Sequence, residues 1–191
     1  MKLNARHAVI IAIILVLSIG FGFAFDAIAT AIERAKHPRP DEFAALVQQC
    51  AEEYGVPEAV LWAVANTQSG FASNARGEDG SIGLMQLTPK EFNMIRTEIM
   101  GLEALDAGML YDPATNLACG AAYLSHLYQL YGSWDTVFAA YEAGEGTVNK
   151  WLKNEDYVND LGALKKIPDA RVERQAGRMS RALSLYTKLY Y

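Results

Sequence analysis

Apolar residues recur at spacings of three and four along most of this 191-residue chain, and no segment alternates apolar and polar residues for long. A spacing of three and four keeps apolar side chains on one face of an α-helix, whereas alternation keeps them on one face of a strand. About half of the residues are apolar, 51%, which is enough for a sizeable core. The sequence therefore predicts a mainly α-helical protein.

Glycine and proline mark the ends of the predicted helices. Proline is tolerated in the first helical turn, and glycine commonly follows the last turn. On this basis the sequence predicts a polar loop over 73–80 and helices over 43–54, 56–68, 87–99, 112–131, 134–143, 147–152 and 170–190.

The N-terminal segment is predicted to be a membrane anchor. Ala8–Phe25 is an uncharged run of 18 residues, apolar except for Ser18, near the lower limit for crossing a bilayer. Lys2 and Arg6 precede it, so the positive-inside tendency keeps the N-terminus cytoplasmic and exports the chain after Ile32. We therefore expect residues 1–36 to form a cytoplasmic stub and a single-pass transmembrane helix in the cell membrane. The alternative is a signal peptide cleaved near Ala27–Ala29, which would give a secreted protein.

The charge of the exported part excludes some functions. Beyond residue 36 the chain has 13 basic and 20 acidic residues, a net charge of −7, which argues against nucleic-acid binding. The C-terminal stretch is nevertheless basic. Only Asp169 and Glu173 oppose its basic residues, which are Lys165, Lys166, Arg171, Arg174, Arg178, Arg181 and Lys188. This stretch either binds an anionic wall polymer or lipid headgroups, or it is a solvated helix face.

The two cysteines, Cys50 and Cys119, allow two interpretations. After export they can form a disulfide. They also fall on apolar faces of predicted helices, where a free cysteine behaves as a small core residue. Their spacing matches no metal motif, and nothing in the sequence calls for a cofactor.

Four sequence blocks, in order along the chain, are similar to those of the soluble lytic transglycosylases. They are Asn66–Phe71, Gly83–Gln86, Tyr111–Leu124 and Ala139–Gly144. The resemblance covers residues 37–191 and is greatest to membrane-anchored members from Gram-positive bacteria. It implies a helical domain with the fold of goose-type lysozyme, whose partner is the glycan strand of peptidoglycan.

The resemblance also implies roles for individual residues. The family's catalytic glutamate corresponds to Gln68, and the tyrosine that points at the reaction centre corresponds to Tyr141. Contacts to the glycan are implied for Ser69, Gly83, Met85, Gln86 and Tyr141. The alternatives are that the turn at Gly83–Gln86 only packs and that Tyr141 is a core residue.

Gln68 changes the functional expectation, because an amide cannot donate the proton that glycosidic cleavage requires. The remaining departures from the family pattern are Gly77, Thr88, Glu142, Glu145, Arg171, Val172 and Gln175. We therefore expect a membrane-anchored, extracytoplasmic, peptidoglycan-binding protein with lost or reduced cleavage. One alternative is an active lytic transglycosylase with Glu142 as its acid, forming 1,6-anhydro products. Another is a structural component of an envelope complex, bound to other envelope proteins.

Overall fold

The structure is a computed structural model that describes residues 24–191. The chain divides into two compact units, Met1–Pro38 and Arg39–Tyr191. Helix α1 covers 24–36. Between residues 24 and 191, no helix is both long and apolar enough to cross a membrane. All but the last two residues of the predicted membrane span, 8–25, lie outside the described part of the chain, so the span stays a prediction.

The second unit is helical, as the periodicity of its apolar residues predicts. Residues 24–191 contain isolated β-bridges but no strand. A π-helical turn, Ile95–Ile99, follows α4, and 3₁₀ turns cover Ala107–Tyr111 and Glu155–Tyr157. The α-helices are α2 (Asp41–Tyr54), α3 (Glu58–Ser69), α4 (Pro89–Met94), α5 (Pro113–Tyr131), α6 (Trp134–Ala143), α7 (Glu145–Trp151) and α8 (Ala170–Tyr190).

Most helix ends follow the predicted signals. Gly55, Gly70 and Gly132 adopt the left-handed conformation that ends α2, α3 and α5. The helix predicted over 87–99 differs, because only Pro89–Met94 is α-helical before the π-helical turn. Thr88 begins α4 with a capping box: its side chain accepts from the Glu91 N–H, and the Glu91 carboxylate accepts from the Thr88 N–H.

Helix α3 runs through the centre of this unit. Seven consecutive residues, Ala59–Ala65, are buried, and Trp62 has no exposed surface. A helix that is apolar on all sides must be surrounded by other elements. Helices α2 and α8 pack on α3, and α6 packs on α8. The last turn of α3 emerges from this core and carries Gln68 and Ser69 to a partly exposed surface.

Cys50 and Cys119 are free and buried in the core. Burial raises the pKa of the Cys50 thiol to about 11, and burial also raises the pKa of Cys119. The Cys119 sulfur lies 3.8 Å from the sulfur of Met100. In this structure the two cysteines are therefore buried core residues and do not form a disulfide.

Candidate active site

The side chains of Gln68 and Glu142 meet where α3 and α6 end. The Gln68 Nε2 donates a hydrogen bond to the Glu142 Oε1 at 2.5 Å. The two residues are 74 positions apart in the chain, and both follow long buried stretches of their helices. The carboxyl group of residue 142 therefore lies beside the position where the family pattern places its acid.

Glu142 is a shielded carboxyl group. Its side chain is only 9% exposed, and its Oε2 lies 3.6 Å from the Nη1 of Arg171, which is 62% exposed. Burial raises the pKa of Glu142, whereas the Gln68 hydrogen bond and the Arg171 charge lower it. Burial outweighs both, so the pKa of Glu142 is above the ordinary value for a glutamate.

Tyr141 fixes the other side of this site. Its hydroxyl donates a hydrogen bond to the Met85 carbonyl at 2.7 Å, and the ring lies 5.6 Å from that of Tyr123. Burial raises the pKa of Tyr141 well above its ordinary value. The phenol therefore stays protonated at neutral pH and ties α6 to the turn that faces it.

The turn at Gly83–Gln86 is held by the buried side chain of Asn116 on α5. Its Nδ2 donates to the carbonyls of Ile82 and Leu110, and its Oδ1 accepts from the Met85 N–H, at 2.8 to 2.9 Å. Gly83 has a φ of +84°, and a Cβ there would overlap the Asn116 amide. The close approach that Gly83 permits within the protein is thus to Asn116.

The other residues predicted to touch glycan also use their polar groups within the protein. The Gln86 Nε2 donates to the Gly83 carbonyl at 2.8 Å, and the Ser69 hydroxyl donates to the Leu84 carbonyl at 2.8 Å. The Met85 side chain is fully buried. Glycan contact by Ser69, Gly83, Met85 and Gln86 stays a prediction, while their observed role is to build the turn.

A small polar cavity of about 70 Å³ joins these elements. Its walls are Gln68, Asp79, Ser81, Gln86, Leu87, Glu91, Tyr123, Tyr141, Glu142 and Arg171. A second cavity of about 420 Å³ shares Glu91 and Tyr123 with it and extends to Lys90 and Gly144. We call these two neighbouring cavities together the groove; Gln68 and Glu142 line its smaller part. A wider cavity of about 610 Å³, beside Tyr54 and His126, contains neither residue of that contact.

Several wall residues were not identified from the sequence. Asp79 has a lowered pKa because the side chain and backbone of Ser81 donate to it. Gly77 leaves room for this arrangement, since a Cβ there would overlap the Ser81 hydroxyl.

The role of Asn116 was also not identified from the sequence. It lies within one of the four sequence blocks, and an amide on an otherwise apolar helix face was the signal that could have revealed it.

Two other residues that depart from the family pattern, Glu145 and Val172, make contacts within the protein away from Gln68. Glu145 pairs with the Nε2 of His126 at 2.9 Å, on the second cavity rather than beside Gln68. Val172 is buried in the core. The structure therefore brings Gln68, Glu142, Tyr141 and Arg171 together and places Glu145 apart from them.

Comparison with known proteins agrees with this fold and these blocks. The transglycosylase SLT domain family matches residues 45–161. The soluble lytic murein transglycosylase of Escherichia coli strain K12 is 34% identical over 118 residues, which are 59% of this chain and 18% of that protein. The chain thus spans about a fifth of the length of this curated relative.

Two solved structures share the fold. The inactive glutamate-to-glutamine mutant of the lytic transglycosylase Slt from Pseudomonas aeruginosa is 29% identical, with a TM-score of 0.66, over 76% of this chain and 24% of that chain. The 70 kDa soluble lytic transglycosylase of Escherichia coli is 23% identical, with a TM-score of 0.72, over 82% and 25%. Since the family match covers more than half of the sequence, this chain belongs to the transglycosylase SLT domain family.

Proposed function

We propose that the groove binds the glycan strand of peptidoglycan and that Glu142 is the general acid that cleaves it. The observation that carries this proposal is the 2.5 Å contact between Gln68 and Glu142. The family pattern has a carboxylic acid at position 68 and an amide at position 142, and this chain has the amide at 68 and the acid at 142. The chain keeps one acid and one amide in contact and exchanges their places.

The chemistry needs one proton and no water. Glu142 donates its proton to the glycosidic oxygen between N-acetylmuramic acid and N-acetylglucosamine, and the bonding electrons leave with that oxygen. The C6 hydroxyl of the muramic acid then attacks C1 and returns its proton to the Glu142 carboxylate. The products are a 1,6-anhydromuramic end and a free N-acetylglucosamine hydroxyl, and the acid is regenerated.

The electrostatics of the cavity favour Glu142 for this role. A general acid near neutral pH needs a carboxyl group with a raised pKa. Burial provides that for Glu142, whereas Asp79 has a lowered pKa and stays ionised. Tyr141 holds its proton too tightly to donate it. Gln68 then acts as a positioning residue, because its amide donor fixes one oxygen of the Glu142 carboxyl group.

Glycan binding without cleavage is the second candidate. The Arg171 guanidinium stabilises the ionised form of Glu142, which cannot donate a proton. One structural relative is an inactive enzyme whose change is glutamate to glutamine. In this case the groove retains the strand, and the loss of the acid at position 68 is not compensated.

Product analysis distinguishes the two candidates. Full-length protein in mild detergent is incubated with purified sacculi, and soluble muropeptides are identified by mass spectrometry. We expect the wild type to release 1,6-anhydro muropeptides and Glu142→Gln to release none. The control, Glu155→Gln, removes an exposed carboxylate away from the groove and should match the wild type. Absence of anhydro products from the wild type, with sacculus binding retained, would favour the second candidate.

We also propose that the chain is anchored in the cell membrane with residues 37–191 outside the cytoplasm. The support is the apolar run Ala8–Phe25 and the basic residues before it. Membrane fractionation followed by protease treatment of spheroplasts tests this. We expect the full-length chain in the membrane fraction and loss of residues 37–191 to protease. A shortened chain in the medium would indicate signal cleavage instead.

A further inference from the structure

Four arginines form a continuous row on the outer face of α8. Arg171, Arg174, Arg178 and Arg181 are spaced by three, four and three residues, which keeps them on one side of the helix. All four are exposed. At 1.5 Å per residue the row is about 15 Å long. We call these four residues the arginine row.

The charges of the arginine row are largely uncompensated. Within 24–191, Arg174, Arg178 and Arg181 make no ion pair, and Arg178 donates only to the neutral amide of Gln175. Glu173 is about 200° from Arg171 around the helix, on another face. This positive face therefore stands out on a domain whose net charge is −7.

Carboxylates near the arginine row have other partners. Asp169 caps α8 by accepting from the N–H groups of Arg171 and Val172. Asp135, at the start of α6, accepts from the Ser180 hydroxyl. Asp169 does lower the local positive potential, since Arg171 and Arg174 act on its pKa in turn. Arg171 pairs with Glu142, and the other three arginines of the row are exposed and make no ion pair within residues 24–191.

One end of the row lies in the groove. Arg171 forms part of the cavity wall and reaches the Glu142 carboxyl group, and the other three arginines continue away from it along α8. A polymer that enters the cavity and continues beyond it can thus meet the row without a break. The occupant of the row should therefore be the polymer that occupies the groove.

We infer that the arginine row binds the free carboxylates of the peptide stems that the peptidoglycan strand carries. Guanidinium groups pair with carboxylates through two parallel hydrogen bonds, which suits arginine better than lysine for such a surface. The inference rests on the proposed function only in taking peptidoglycan as the polymer in the groove. It holds whether or not the strand is cleaved.

The test measures binding in the absence of turnover. Full-length protein carrying Glu142→Gln is sedimented with sacculi from which secondary wall polymers have been removed. The added pair Arg174→Gln and Arg178→Gln should weaken binding roughly tenfold and reduce its dependence on salt. The matched control is Lys150→Gln with Lys153→Gln, which removes two exposed positive charges near α7 and should leave binding unchanged. Equal weakening by both pairs would overturn the inference.

Two further experiments test whether the variants remain folded and which negatively charged group of the sacculus is bound. Arg174→Lys with Arg178→Lys keeps the charge, so binding should lie between that of the parent and that of the glutamine pair. If binding falls to the level of the glutamine pair while helicity is unchanged, the paired hydrogen bonds of arginine, rather than its charge, determine binding. Amidating the carboxylates of the sacculi should lower binding of the parent to the level of the glutamine pair. Binding that survives amidation, or that requires the phosphate-rich secondary polymers, would contradict a carboxylate ligand. Failure of cleavage alone leaves these results intact.

Discussion

At the scale of the residue, the site depends on a few side chains whose neighbours change their chemistry. Glu142 would be an ordinary carboxylate in water, but burial next to Gln68 raises its pKa. Asn116 would be an ordinary amide in water, but in the core its side chain makes hydrogen bonds to three backbone groups. The sequence identified Gln68, Tyr141 and Glu142. It did not predict the contact between Gln68 and Glu142, because chain separation carries no information about which helix ends meet.

The raised pKa of Glu142 makes the stability of the protein depend on pH. A proton held more tightly in the folded state gives a contribution that is fully present below the unfolded pKa of 4.5 and is lost as pH rises through the folded pKa. Relative to Glu142→Gln, the wild type should therefore lose stability from pH 4.5 upward. Thermal unfolding of both proteins across this range measures it. A difference that does not vary with pH would contradict the raised pKa.

Cleavage should follow the same titration. Activity of the wild type is expected to fall as pH rises through the pKa of Glu142, because only the protonated carboxyl group donates. Rates of anhydro product release at a series of pH values provide the measurement. A rate that increases across the same interval would indicate that the ionised form of Glu142 is the active one.

Asn116→Ala should be strongly destabilising. It leaves two carbonyls and one N–H without their partner in the core, each worth about 1 to 3 kcal/mol, so we expect a loss of at least about 3 kcal/mol. Urea unfolding followed by circular dichroism measures it. Asn93→Ala, a change of the same kind on α4, provides the comparison; equal losses would show that Asn116 has no special role in the turn.

At the scale of the element, the helices position the turn at Gly83–Gln86, which lies between α3 and α4. Glycine and proline signals predicted most helix ends, since these residues act through their own backbone. The π-helical turn Ile95–Ile99, which packs against α5, was not predicted, because no glycine or proline signal marks it in the sequence. The turn at Gly83–Gln86 was found by its motif, but its dependence on Asn116 needs the fold.

Two glycines in this region allow a matched test of the turn. Gly83 and Gly80 have nearly equal φ angles, +84° and +85°, but a Cβ is blocked at Gly83 and has open space at Gly80. Gly80→Ala should cost about 1 kcal/mol from backbone strain alone. Gly83→Ala should cost more than about 3 kcal/mol and reduce glycan binding, because Asn116 must move. Equal losses in unfolding free energy would refute this account of the turn.

At the scale of the whole molecule, the two ends of the unit Arg39–Tyr191 are joined. The Arg39 guanidinium lies 5.2 to 5.3 Å from the ring centres of Trp62, Tyr190 and Tyr191, and 3.3 Å from the Glu58 carboxylate. The Tyr191 hydroxyl also donates to Glu58 at 2.7 Å. This cluster holds the end of α8 against α3, while Arg171 at the start of α8 lines the groove.

Arg39→Ala should therefore destabilise the protein by about 2 kcal/mol, through the loss of partly shielded cation–π contacts and one ion pair. Arg39→Lys should recover part of this, since it keeps the charge but not the planar group. Chemical unfolding monitored by tryptophan fluorescence measures both variants. An Arg39→Lys protein as unstable as Arg39→Ala would show that stacking of the planar group, rather than charge, joins the two ends.

The proposed exchange of the acid and the amide within one contacting pair is tested most directly at positions 68 and 142. The direct measurement compares anhydro muropeptide release by the wild type, by Glu142→Gln, and by the double change Gln68→Glu with Glu142→Gln. We expect activity in the wild type, none in the single variant, and recovery in the double variant, where the carboxyl group returns to position 68. A wild type that releases nothing while the double variant is active would contradict the exchange, since the acid at position 142 would then be unable to act.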